Sequence, residues 1–243
     1  MVSFTKHTIP HVTGKHVPKG ERFTLGDDLE CYISGDKSSK VAIIYCYDIF
    51  LFKPNHFEIV DLLGSSGYRV IMPDFLRNKP IPEEELKDVP AVVRKLEVEI
   101  LSPQYPIDFD AVKEYLVKVE KMEKILLIGE MLGARMAMIA SQHDPIYLGM
   151  ALMHPACVHN EQVESVKIPT ILINSSDDVD LSKGAATFKA KPFANLCYFE
   201  VFPDMVHGFA SGFADWTDPK IAKRVDQTYR IINDYFARII NGN

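Results

Sequence analysis

The apolar positions of this chain follow two alternating rhythms. Unbroken apolar runs rich in β-branched residues, such as "KVAIIYCYDIF", "RVIMPDF", "KILLIG", "YLGMALMH" and "TILINSS", predict strands covered on both faces. Between them, "NHFEIVDLLGSSGY", "IDFDAVKEYLVKVEKM", the segment from Leu132 and "DPKIAKRVDQTYRIINDYFARII" place apolar residues at helical spacing. "EEELKDVPAVVRKLEVEIL" is also helical in pattern, with Pro90 either kinking it or opening a new helix. "LSKGAATFKAK" predicts a helix and "LCYFEVFP" a strand. Near the N-terminus, "RFTL" and "LECYIS" flank Gly26-Asp27-Asp28, the pattern of a β-hairpin with a tight turn.

Strands that are apolar throughout, alternating with amphipathic helices, predict an α/β fold: a mostly parallel sheet of about seven to eight strands with helices on both faces. No linker, repeat or low-complexity stretch interrupts the pattern, so residues 1–243 are expected to form one domain. Composition then narrows the function by exclusion. The formal net charge is −6 with no run of lysines or arginines, which argues against a nucleic-acid or acidic-lipid partner. The first twenty residues contain no apolar run of the length a signal peptide or membrane span needs, so a cytoplasmic protein is expected. Cys31, Cys46, Cys157 and Cys197 lie far apart, consistent with reduced, mostly buried thiols. Neither zinc-ligand spacing nor a phosphate-loop lysine is present, so no metal and no cofactor are expected.

In an open α/β sheet, ligands bind beyond the carboxyl ends of the strands. Asp48, Met131, Asp178 and His207 each follow such an end. Met131 is the middle of "GEMLGA", a Gly-x-x-x-Gly turn between an apolar strand and a small-residue helix. The chain order of elbow, acid and histidine is that of the α/β-hydrolase triad. Asp177 is the neighbouring candidate for the acid, and His154 in "MHPA" is read as structural. Trp216 and Phe213 suit either a pocket mouth or packing.

Six collinear segments, "YDIF", "GYRVIMPDF", "GEMLGA", "HPA", "SSDDV" and "VHGF", together resemble the dienelactone hydrolases (carboxymethylenebutenolidases), especially their eukaryotic cytosolic branch. The resemblance implies an α/β-hydrolase fold and a Cys-His-Asp triad acting on a small lactone or ester. In that cycle a thiolate attacks the carbonyl, histidine shuttles the proton, aspartate orients the imidazole and backbone N–H groups hold the oxyanion. Carried onto this chain, the aspartate falls on Asp178 and the histidine on His207. An acidic residue that meets the nucleophile in bacterial members falls on Asp48. Arg77, Leu132 and Ile49 fall where the substrate is held.

The nucleophile falls on Met131, and a thioether has neither a proton to lose nor a thiolate form. Removing a triad nucleophile typically lowers turnover by ~10⁶. Cys46, Asp48 and Glu130 are the nearest substitutes, with Cys46 read as a buried structural thiol. Bacterial members hold a substrate carboxylate with two arginines; Arg77 lies near the first position and Ser211 occupies the second. The partner expected is a small ester, lactone or related carbonyl compound, bound by a monomer or homodimer. Two readings stand at this point: an impaired binder, or an active hydrolase using His207 and Asp178 with water or a relocated nucleophile.

Overall fold

The computed structural model describes residues 8–79, 81–82 and 84–242. Its strands are β1 (Glu21–Leu25), β2 (Leu29–Ser34), β3 (Val41–Cys46), β4 (Arg69–Pro73), β5 (Lys124–Glu130), β6 (Tyr147–Met153), β7 (Thr170–Ser175) and β8 (Tyr198–Phe202). Its helices are α1 (Pro54–Ser65), α2 (Val89–Glu99), α3 (Gln104–Lys118), α4 (Leu132–His143), α5 (Asn160–Glu164), α6 (Ser182–Ala185) and α7 (Pro219–Asn241).

The strands make one sheet in the order β1-β2-β4-β3-β5-β6-β7-β8. From β4 onward every pairing is parallel, while β1 and β2 form the antiparallel hairpin, with Leu25 opposite Leu29. Strands β3, β4, β5 and β7 are buried almost without interruption, as their unbroken apolar runs require. One face packs on α2, α3 and α4 through Leu96, Phe109, Val112 and Ala137. The other packs on α1 and α7 through Phe57, Leu63, Tyr229 and Phe236. No helix among the described residues is long and apolar enough to cross a membrane.

Of the two alternatives for Pro90, it opens a helix: a short 3-10 turn at Glu85–Lys87 precedes α2, with Pro90 in the first turn and Asp88 accepting the Ala91 N–H at 3.0 Å. One local expectation changes. "LSKGAATFKAK" is α-helical only over α6 and continues as a 3-10 turn, Ala186–Ala190. Gly184 sits there in a crowded contact, where an added Cβ would lie 2.8 Å from the Asn160 carbonyl.

Close backbone approach at the sheet's carboxyl edge fixes what can stand at two positions. A Cβ on Gly133 would lie 2.1 Å from the Cys46 carbonyl oxygen, and one on Gly129 would lie 2.5 Å from Ala134 Cα. Both obstacles are backbone, so neither can swing aside. Gly133→Ala is therefore expected to lower folding stability by ~3 kcal/mol or more. Gly26→Ala is the control, since that glycine has φ 59 but nothing within 4 Å of an added Cβ; about 1–2 kcal/mol is expected from the left-handed backbone alone. Urea denaturation of the two variants would contradict this if their losses were equal.

Candidate active site

Strand β5 ends at Glu130 and α4 begins at Leu132, so Met131 alone makes the turn. Its backbone adopts φ 47 and ψ −112, a region in which a residue with a side chain is strained by ~1–3 kcal/mol. Two hydrogen bonds to neighbouring segments hold it there: its N–H donates to the Met153 carbonyl at 3.2 Å, and its own carbonyl accepts from Ala156 N–H at 3.0 Å. The thioether lines a cleft of about 710 Å³. Leu132 begins α4 and Ile49 follows Asp48; both are buried and neither side chain lines the cleft. The first N–H groups of α4, at the head of the elbow, have no acceptor within the helix.

His207 stands on the loop after β8 and lines the same cleft. Its Nδ1 hydrogen-bonds Asp178 Oδ1, on the loop after β7. The carboxylate is 1% exposed and the imidazole 35%, so the acid is sheltered and the base faces the cleft. Ser175 N–H donates to Asp178 Oδ2 at 2.5 Å. Burial opposes ionisation of Asp178, but the hydrogen bonds from His207 and Ser175 hold its carboxyl below the usual carboxylate range. Asp177 takes a different part, accepting the His207 backbone N–H at 2.6 Å and fixing the loop. Behind His207 lies His154, fully buried, its ring centroid 5.5 Å away in an edge-to-face arrangement. Neither ring nitrogen of His154 has a hydrogen-bond partner among the described residues, and burial pushes its imidazole down, towards the neutral form.

Asp48 does not face the cleft. It is 1% exposed, accepting from Phe50 N–H at 2.6 Å and Gly212 N–H at 2.9 Å, with His56 Nε2 at 3.2 Å. On the far side of His56, Glu130 Oε2 lies 3.6 Å from the same nitrogen. Glu130 Oε1 accepts from Tyr45 at 2.5 Å and from Tyr229 at 2.7 Å. Burial disfavours a charged His56, yet Asp48 and then Glu130 outweigh it and push the imidazole up to about 10. Of the substitute nucleophiles, Asp48 and Glu130 are thus committed to His56 beneath the elbow. Cys46 is fully buried, and burial pushes its thiol far up, away from the thiolate.

Arg77 is placed elsewhere. Its guanidinium makes a paired contact with Asp108 at 2.8 and 2.9 Å, and Asp28 Oδ1 lies 2.9 Å from its Nε, so it ties the hairpin turn to α3. It is not among the residues lining the cleft. Its guanidinium is taken up by Asp108 and Asp28, on the side of the hairpin turn and α3. Ser211 does line the cleft. So does Phe213, 61% exposed and packed on Phe50 with ring centroids 4.3 Å apart, whereas Trp216 is core. Sequence reasoning passed over His56, Tyr45, Tyr229 and Lys220. The first three carry no motif; Lys220, at the cleft rim, sits in a helical pattern that reads only as solvated surface.

The depressed Asp178 carboxyl makes a pH-dependent contribution to stability. A carboxylate held below its unfolded value stabilises the fold fully above that value, about 3.9, and loses the contribution as pH falls through the lower folded value. The difference in unfolding free energy between the native chain and Asp178→Asn should therefore shrink between pH 7 and pH 3. A difference that stays constant in urea titrations at the two pH values would contradict this assignment.

A model of the dienelactone hydrolase family matches residues 29–239 of this chain. Among curated proteins, an uncharacterized AIM2 family protein of Schizosaccharomyces pombe is 26% identical over 232 residues, covering 91% of this chain and 92% of its own length. A protein named hydrolase pyvD, from Aspergillus violaceofuscus, is 24% identical over 198 residues, covering 79% of each chain. Among solved structures, a Klebsiella pneumoniae protein assigned to the dienelactone hydrolases superposes with a TM-score of 0.70 at 16% identity, over 92% of this chain and all of that one. The last likeness is one of fold, the α/β-hydrolase sheet. With the family match running from the start of β2 into the last turn of α7, this chain belongs to the dienelactone hydrolase family.

Proposed function

We propose that this chain is a small-molecule-binding member of its family in which Met131 disables the covalent acyl-transfer cycle. The observation that carries the reading is a strained elbow, built as for a nucleophile, with a thioether at its apex. Acyl transfer needs a group that attacks as an anion or is deprotonated as it attacks, and a thioether can do neither. The cleft supports an uncharged, apolar ligand. Phe50, Met131, Met205, Phe209 and Phe213 line it, and its charged residues are two aspartates, Asp204 and Asp218, against Lys220. With Arg77 taken up by Asp108 and Ser211 at the other position, a dicarboxylate or lactone acid has no arginine pair to meet. A neutral aryl ester, lactone or ketone fits that lining better. The four cysteines are all free, which supports a reducing, cytoplasmic setting.

A second reading has its own support. The His207–Asp178 pair keeps the geometry of a general base with its orienting acid, and a pair of that kind can activate water directly. On that reading the native chain hydrolyses small esters without an acyl-enzyme, and His207→Ala abolishes the rate.

An aryl methyl ketone, which keeps the carbonyl but has no leaving group, separates binding from chemistry. Calorimetric titration should show one saturable site. Phe213→Ala should weaken it about five-fold, the ~1 kcal/mol of one aromatic contact. Intact-mass spectra after incubation with an aryl acetate should show no acyl adduct on the native protein. An adduct that disappears in a Met131 variant, or a ketone affinity indifferent to Phe213, would overturn the proposal.

A further inference from the structure

Beneath the elbow, on the side away from the cleft, four elements converge on one buried point. Asp48 comes from the end of β3, His56 from α1, and Glu130 from the end of β5; all three are at most 1% exposed. Tyr45 and Tyr229 close the group from β3 and α7. Most of the hydrogen-bonding capacity there is already spent outward. Asp48 Oδ1 accepts from Phe50 N–H at 2.6 Å, and His56 Nδ1 lies 2.8 Å from the Leu51 carbonyl. Glu130 Oε1 takes both tyrosine hydroxyls.

Three atoms point inward: Glu130 Oε2, His56 Nε2 and Asp48 Oδ2, the last also accepting from Gly212 N–H at 2.9 Å, and all lie within 4.8 Å of one another. His56 Nε2 stands 3.2 Å from the first oxygen and 3.6 Å from the second. Glu130 Oε2 is fully buried and has no hydrogen-bond partner among the described residues. Two buried carboxyl groups face one imidazole at a point sealed from solvent, a set of donors that a bound cation would compensate. Nitrogen and oxygen ligands bound to zinc at about 2.0–2.2 Å sit about 3.3 Å apart when tetrahedral, close to the separations here. The outer contacts also match a metal site. Ligating histidines commonly donate their second N–H to a backbone carbonyl, as His56 does towards Leu51, and ligating carboxylates are themselves hydrogen-bonded.

The geometry points to a divalent transition-metal site formed by Asp48, His56 and Glu130, structural in place and distinct from the cleft. The ion binds neutral His56 Nε2 and one oxygen of each carboxylate, and the proton that otherwise sits between them is released to solvent. Spacing gave no hint of it, because positions 48, 56 and 130 match no ligand motif and the chain was expected to hold no metal. Since Glu130 directly precedes Met131, an ion here would brace the strained elbow from below.

Zinc is the probe, and the full chain is loaded by refolding from urea in its presence, because the site is closed to solvent. After gel filtration the native protein should retain about one zinc per chain beyond what a Glu130→Gln variant retains, with affinity in the variant at least tenfold weaker. Glu130→Gln keeps the shape and both tyrosine contacts. Refolded native protein that holds no zinc would overturn the proposal, as would equal zinc in both proteins. Should the variant fail to fold, anomalous diffraction at the zinc edge decides on native crystals. A peak between the three side chains supports the site, and a peak elsewhere or none contradicts it.

Discussion

The cleft end of this molecule depends on one backbone constraint, the positive-φ turn at Met131. Strand β5 must reverse into α4 within a single residue. It does so at φ 47 because Gly129 and Gly133 let the neighbouring backbones close in and because Met153 and Ala156 grip the residue from β6 and the loop after it. Such a turn serves to expose one side chain at the head of a helix. Nothing in the packing of a methionine demands it. The strain persists here with a thioether at the apex, and the proposed loss of acyl transfer rests on that pairing.

Around the turn, charge is sorted into two compartments. Toward the cleft stand His207 and Asp178, a half-exposed base on a buried acid, with apolar walls beyond. Beneath the elbow stand Asp48, His56 and Glu130, sealed from solvent and bonded to backbone and tyrosines. The two groups flank the same residue but share no hydrogen bond among the described residues. Asp48, placed by resemblance at the reacting centre, belongs to the inner compartment, where its charge acts on His56 rather than on a ligand.

Local pattern carried much of this. Unbroken β-branched runs mark the central strands because burial on both faces leaves no polar position, and the elbow shows because two glycines bracket three residues with Met131 at the centre. Asp178 and His207 were legible as residues directly past strand ends. Arg77 stands away from the cleft lining because Asp108 and Asp28 hold its guanidinium, partners 31 and 49 positions away that its place after the "PDF" strand does not reveal. The inner cluster was not legible at all. Tyr45 and Tyr229 meet across 184 positions of sequence, and no spacing rule reaches that far. The "LSKGAATFKAK" segment is helical as its pattern indicates, but only its first turn is α and the rest is 3-10.

If the frame is intact and only the reagent is missing, restoring a thiol should restore the chemistry. The direct measurement is hydrolysis of a small aryl acetate by the native protein and by Met131→Cys, side by side. The account predicts turnover for Met131→Cys at least ~10²-fold above the native chain, and loss of that gain when His207→Ala is added. Equal rates for the native protein and the cysteine variant would contradict it.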